Sequence, residues 1–473
     1  MTERRRRPRL LWRVLLALIT GAALLGAVWL VLPSQRHAVK APAPAPAPGP
    51  GALTAVTAGV PAALPDLAAL IGNRERHLRA HPQDARAWAV LGTAYVEQGR
   101  RTALAANYPK ADKALRTSLH LRPKGNAEAL DGLTALANER RDFRAARTWG
   151  EAALKLEPKR WTTYPLLIDA YTGLGDYQAA RRALDRLVKL RHGPAVMARA
   201  AGVYWDRGWR EDAAAQLSDA AAAATTPAER AAYLEQAGRM SWERGDLKDA
   251  LRHFEAAVRL DPDQRAALAG QGRALAALGR TSQALNAYHK ALDKQPSPAY
   301  ALELGELYES LGLGQAAEEQ YDLLLTRVRQ DAAAGVDDEL VLGRFEADHG
   351  DPESAVERLR EEWRRQPGTA VGDALGWALH RAGEDTEALK FAEAATDKEK
   401  GGGVRSALYA YHRGMIELDL ELSGPARRHL EEALRTNPYF SPLQAPEARA
   451  ALRALGEPAV EEVPTEDAKA RRR

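Results

Sequence analysis

No cysteine occurs in the 473 residues. That absence excludes a disulfide framework, a thiolate zinc site, Fe–S ligation and a cysteine nucleophile. An excess of one charge is lacking too, because 67 Lys and Arg face 63 Asp and Glu for a formal +4. Residues 1–40 hold eight basic side chains against Glu3, and the tail from Glu457 holds four basic against five acidic. Removing this +7 and −1 from +4 leaves the body at −2. A pI of 9.1 therefore belongs to the N-terminal arm, and a nucleic-acid-binding body is not supported. Aromatic residues make up only 6% of the chain, and its length suits either about three ordinary domains or one repeat array.

One long charge-free run is present. After Arg4, Arg5, Arg6, Arg7, Arg9 and Arg13 comes Val14 to Leu32, and nineteen helical residues at about 1.5 Å each match a bilayer's hydrocarbon core. A cleavable signal peptide has a shorter apolar region ending in an A-x-A-like site. Here the only such runs have proline in the spacing, as in Ala41-Pro42-Ala43. The expectation is an uncleaved anchor at 14–32 behind a cytoplasmic arm at 1–13. The basic flank before the span directs everything after Pro33 outside the cytoplasmic membrane. Residues 33–65, with APAPAPAPGPG from Ala41, read as a polyproline spacer followed by a softer stretch.

A repeat dominates the rest of the chain. Leu234, Ala237-Gly238, Leu247, Ala250, Phe254, Ala257 and Pro262 recur thirty-four residues later as Leu268, Gln271-Gly272, Thr281, Ala284, Tyr288, Ala291 and Pro296. One small residue returns at Ala111, Ala146, Ala180, Ala213, Ala250, Ala284, Ala317, Ala355, Ala388 and Ala426, at intervals of 33 to 38. The pattern resembles the tetratricopeptide repeat, about ten copies over 82–438. The resemblance implies an all-α, right-handed solenoid of helix-turn-helix units. Gly175, Gly245 and Gly312 are expected to end first helices in a left-handed cap, and Gly350 to hold the same slot as Gly312 and Gly383. Capping helices are expected at 66–81 and 439–456, before a disordered charged tail at 457–473.

Catalytic signals are missing. GLGDYQ at Gly173 and GQGRAL at Gly270 fall inside helical hairpins with no preceding strand, so neither is a dinucleotide loop. His77 and His81 lie one turn apart without carboxylates to complete a metal site, and Asp348-His349-Gly350-Asp351 reads as helix-end chemistry. No nucleophile elbow, HExxH or Ser/His/Asp spacing appears. Neither catalysis nor a cofactor, metal or small-molecule substrate is expected.

The resemblance implies that the first helix of each unit lines a concave face. Slots two, five, nine, twelve and thirteen of the units then give Asp169, Trp205, Arg239, Trp242, Arg273, Trp377, His380, Arg381 and Tyr411 as candidate partner contacts. Trp, Tyr and Arg are the residue types that form binding hot spots. The basic clamp of chaperone-binding tetratricopeptide domains is absent, because Ala89, Thr93 and Gly132 fill its first slots. Residues 70–100 are similar to the start of the tetratricopeptide domain in membrane-anchored cytochrome c assembly proteins, and residues 338–452 resemble anchored repeat proteins of high-GC actinobacteria. The expectation is a membrane-anchored scaffold that binds a peptide or protein, with a chaperone or assembly factor for an exported client as the alternative.

Overall fold

The computed structural model describes residues 52, 53, 55, 56, 59–294, 296–397 and 403–456. The expected arm, membrane span, charged tail and the linker up to residue 51 lie outside these. Among the described residues there are 22 helices, no strand, and no helix long and apolar enough to cross a membrane. Leu64–Ala80 precedes ten helical hairpins and Gln444–Ala454 follows them. The first five pair Ala85–Thr102 with Asn107–Leu121, Ala127–Glu139 with Phe143–Leu156, Thr163–Gly173 with Tyr177–Leu190, Pro194–Asp206 with Arg210–Ala223, and Pro227–Glu243 with Leu247–Leu260. The second five pair Arg265–Ala277 with Thr281–Lys294, Pro298–Ser310 with Gly314–Ala333, Glu339–His349 with Pro352–Arg365, Thr369–Arg381 with Asp385–Thr396, and Ala407–Asp419 with Ser423–Thr436.

Turn chemistry sets the hairpins. Asp142 and Asp176 cap second helices by accepting the amides of Ala145 at 3.0 Å and Ala179 at 2.8 Å. Gly175, Gly245 and Gly312 have φ of 71°, 78° and 73°, the left-handed cap expected from the sequence. Gly350 departs from that expectation: its φ is −135°, and Asp351 caps the next helix directly. Stacking then depends on one recurring insertion. Phe254 reaches from the second helix of the fifth hairpin into a gap between two first helices, where a Cβ on Gly238 or Gly270 would sit 2.7 or 2.5 Å from its ring. Leu115 fills the equivalent gap between Gly92 and Gly132. A hairpin alone leaves half of that gap open, so its apolar stripe is buried only by its neighbour.

The array also folds back on itself. The turn inside the second hairpin meets the connection after the seventh, where Asp337 donates its amide to Arg140 O at 3.0 Å and Arg141 Nη1 donates to Asp337 O at 2.7 Å. The third turn meets the connection after the eighth through Tyr177 and Thr369, whose hydroxyls lie 2.9 Å apart. The fourth turn meets Gly403 and Arg405, and the fifth meets Asn437, whose Nδ2 donates to Trp242 O at 2.8 Å. Turns two to five thus each dock five units further on. The first turn joins the connection after the fifth hairpin through the buried Arg101–Asp261 pair at 2.5 Å. Hydrogen bonds of this kind contribute about 1 kcal/mol each, so several levels acting together hold the seam shut. Arg141 occupies left-handed backbone at φ 56°, and its guanidinium is engaged across the seam.

Seam glycines should therefore differ from free turn glycines. Gly312→Ala meets nothing within 4 Å and should cost about 1–2 kcal/mol for the left-handed backbone alone. Gly208→Ala places its Cβ 2.6 Å from Gly403 O and should cost about 1–3 kcal/mol more. Chemical denaturation of the two variants checks this, and equal losses would argue against a closed seam.

Candidate functional site

The concave side of the first superhelical turn borders a cavity of about 910 Å³. First helices of hairpins one to five supply most of its wall, and Arg344, Ser406, Leu408 and Tyr409 come from the eighth and tenth hairpins. With the turns joined at the seam, the concave face is the wall of a channel. Residues 55, 56 and 59–61 line part of that wall, and Ala62 O accepts Arg101 Nη1 at 2.8 Å. Val56 is buried in a cluster with Leu67, Leu70 and Leu91, so the described last part of the expected linker packs on the array.

Charge in the channel is unbalanced. Glu97 binds Arg100 at 2.7 Å, and Asp169 pairs with Arg199. Glu139, Asp206, Glu235 and Glu243 form no ion pair or hydrogen bond among the described residues, against Arg239 and Arg344. Burial pushes Glu139 up to about 7, with Glu97 adding repulsion, and burial likewise pushes Asp206 up to about 7. Asp169, Glu235 and Glu243 are raised for the same reason, each opposed by nearby arginines.

A tetratricopeptide-repeat family model matches residues 241–302, from the end of one first helix through the sixth hairpin. Residues 241–302 are tetratricopeptide repeat. No curated protein matches the chain in sequence. Among solved structures, human IFIT1 with m7Gppp-AAAA is 17% identical over 70% of this chain and 76% of that one, with a TM-score of 0.45. A tetratricopeptide repeat protein from Parabacteroides merdae is 18% identical over 56% and 99%, with a TM-score of 0.33. YrrB, described as having an unusual peptide-binding site, is 20% identical over 39% and 93%, with a TM-score of 0.26. At these scores the likenesses carry no argument about ligands.

The repeat register explains where the candidate residues fall. Asp169, Trp205, Arg239 and Trp242 line the channel. Arg273 does not; it pairs with Glu303 at 2.5 Å and lies over the Trp242 ring. Trp377 and Tyr411 are core residues: Trp377 stacks on His412 at 4.3 Å and donates to Asp348, and Tyr411 donates to Glu447 at 2.6 Å. His380 is taken by Asp385, and Arg381 by Ala347 O. The C-terminal helix and the stacked rings of hairpins nine and ten occupy the space that those slots would otherwise open to solvent.

The channel carboxylates share this register but are too small to stand out in the sequence. Slot thirteen of the first helix holds Glu97, Glu139, Asp206 and Glu243 in hairpins one, two, four and five. Three-residue groups that could ligate a metal reduce, among the described residues, to His380, Asp385 and Asp419, with His380 Nδ1 already 2.5 Å from Asp385. His77 instead meets Asp84 at 3.0 Å.

This placement sets two expected outcomes. Trp242 is 5% exposed and packs with Ala231, Ala250 and Ala267, so Trp242→Ala should cost about 3–5 kcal/mol in a denaturation measurement. The raised carboxylates bind protons more tightly folded than unfolded. Their stabilisation is complete below the unfolded carboxylate range and is lost as pH rises through about 7. His349, raised by Glu306 and Glu309 against the opposing effect of burial, acts in the same direction. The thermal midpoint should fall between pH 5 and pH 8, and Glu139→Gln with Asp206→Asn should flatten that slope; an unchanged slope would contradict the assignment.

Proposed function

We propose that this protein is a membrane-anchored scaffold whose tetratricopeptide channel, held outside the cytoplasmic membrane, receives a segment of a protein partner. The observation that carries the binding half is the cavity walled by concave first helices, with charged side chains left unpaired inside it. Such groups, half-buried and without partners, are poised for a ligand to satisfy them. The anchor half rests on the charge-free run at 14–32 and its arginine-rich flank. A spacer of alternating proline then supplies reach from the bilayer.

A photoreactive amino acid incorporated at Arg239 in the channel, or at the exposed outer position Arg186, tests both halves in intact cells. Position 239 should crosslink a protein that position 186 does not, and protease added to spheroplasts should digest the crosslinked body. Identical crosslinks from both positions would contradict the channel as the binding site, and full protection would contradict the location.

A further inference from the structure

If the channel is the binding site, three of its features determine the kind of segment it takes. The first is register: slot thirteen places Glu139, Asp206 and Glu243 on the first helices of hairpins two, four and five, with Glu97 at the same slot in hairpin one. First helices pack directly against one another in hairpins one and two and in two and three, and less closely between hairpins three, four and five. Helices in contact lie about 8–10 Å apart, which an extended chain covers in about three residues. Glu97 and Glu139, on first helices in contact, are therefore about three residues of an extended ligand apart, whereas Gly173 takes the slot in hairpin three and Asp206 follows two helices on.

The second feature is imbalance. Glu139, Asp206 and Glu243 form no hydrogen bond or ion pair among the described residues, and in the channel wall Arg239 and Arg344 do not balance them together with Glu235. A cationic ligand removes the repulsion, and an anionic one adds to it. The third is access. The turn-to-turn contacts at Asp337, Thr369, Gly403 and Asn437 cover the side from which an open groove would accept the middle of a chain.

We propose that the channel binds an extended, basic polypeptide segment carrying several positive charges, entering by a free end. Lysine or arginine side chains of the ligand would meet Glu139, Asp206 and Glu243 in turn, while its apolar spacers face Trp205 and Val60. Proton release from the raised carboxylates on binding gives the interaction a dependence on pH, with affinity greater at pH 8 than at pH 5.

The test uses the full chain in detergent and three fluorescent probes. The first is a twelve-residue peptide with lysine at every third position and alanine between; the second replaces each lysine by glutamate; the third is the lysine peptide with a small folded domain fused at each end. The lysine peptide should bind, and the other two should not. Glu139→Gln, Asp206→Asn and Glu243→Gln combined should weaken the lysine peptide by about tenfold or more, the sum of several partly screened ion pairs, with helical circular dichroism unchanged. Equal binding of the glutamate peptide, or an unaffected triple variant, overturns the charge selectivity. Binding of the doubly blocked probe as tight as that of the free peptide overturns threading. Binding of neither free peptide removes the channel reading itself, an outcome distinct from the other two.

Discussion

A large side chain from a second helix, wedged between small residues of two successive first helices, is the contact on which the array depends. Phe254 between Gly238 and Gly270 and Leu115 between Gly92 and Gly132 show it most clearly, because no Cβ fits at those glycines without moving the ring or the leucine. The wedge belongs to two hairpins at once, so it fixes how each unit sits on the next. Curvature is then inherited from packing repeated along the array. A buried aromatic lost from such a gap costs about 3–5 kcal/mol, several times the worth of one seam hydrogen bond. Packing therefore builds the superhelix, and the seam only finishes it.

Closure of the seam changes what the concave face can do. An open solenoid presents a groove to any passing chain, whereas joined turns present a channel with ends. Polar groups inside such a channel lose water on one side and neighbours on the other. That is why burial, and not any strong partner, dominates the elevated carboxylates Glu139 and Asp206. The same burial of charge is costly to the folded chain. Its retention at one slot in four of the first five hairpins is consistent with use by a ligand.

Much of the fold is legible in the sequence because the wedge, the small residues and the capping glycines recur at fixed intervals. The hairpins and left-handed caps at Gly175, Gly245 and Gly312 follow directly from those signals. The seam is not legible, since its contacts join residues about 195 positions apart through backbone carbonyls that carry no residue signature. Gly350 misleads because a glycine in the right slot looks like a left-handed cap, while the first helix here runs to His349, one residue closer to its glycine than in the hairpins of Gly175, Gly245 and Gly312, so that Gly350 is itself the C-cap. In the candidate site, Trp377 and Tyr411 draw attention through size, yet ring stacking within the last hairpins buries them. The smaller slot-thirteen carboxylates have the same register signal and lack only the bulk that marks an aromatic.

Amide hydrogen exchange tests the closed channel most directly. The amides of Phe143, Asp337 and Thr369 stand at or before helix starts, where no intrahelical acceptor exists, and each donates across the seam at 3.0 to 3.2 Å. With the turns joined, these three amides should exchange far more slowly than the amide of Asp263, which donates only to the nearby carboxylate of Asp261. Exchange at the rate of free loop amides at all three would show that the turns are apart and that the concave face is an open groove.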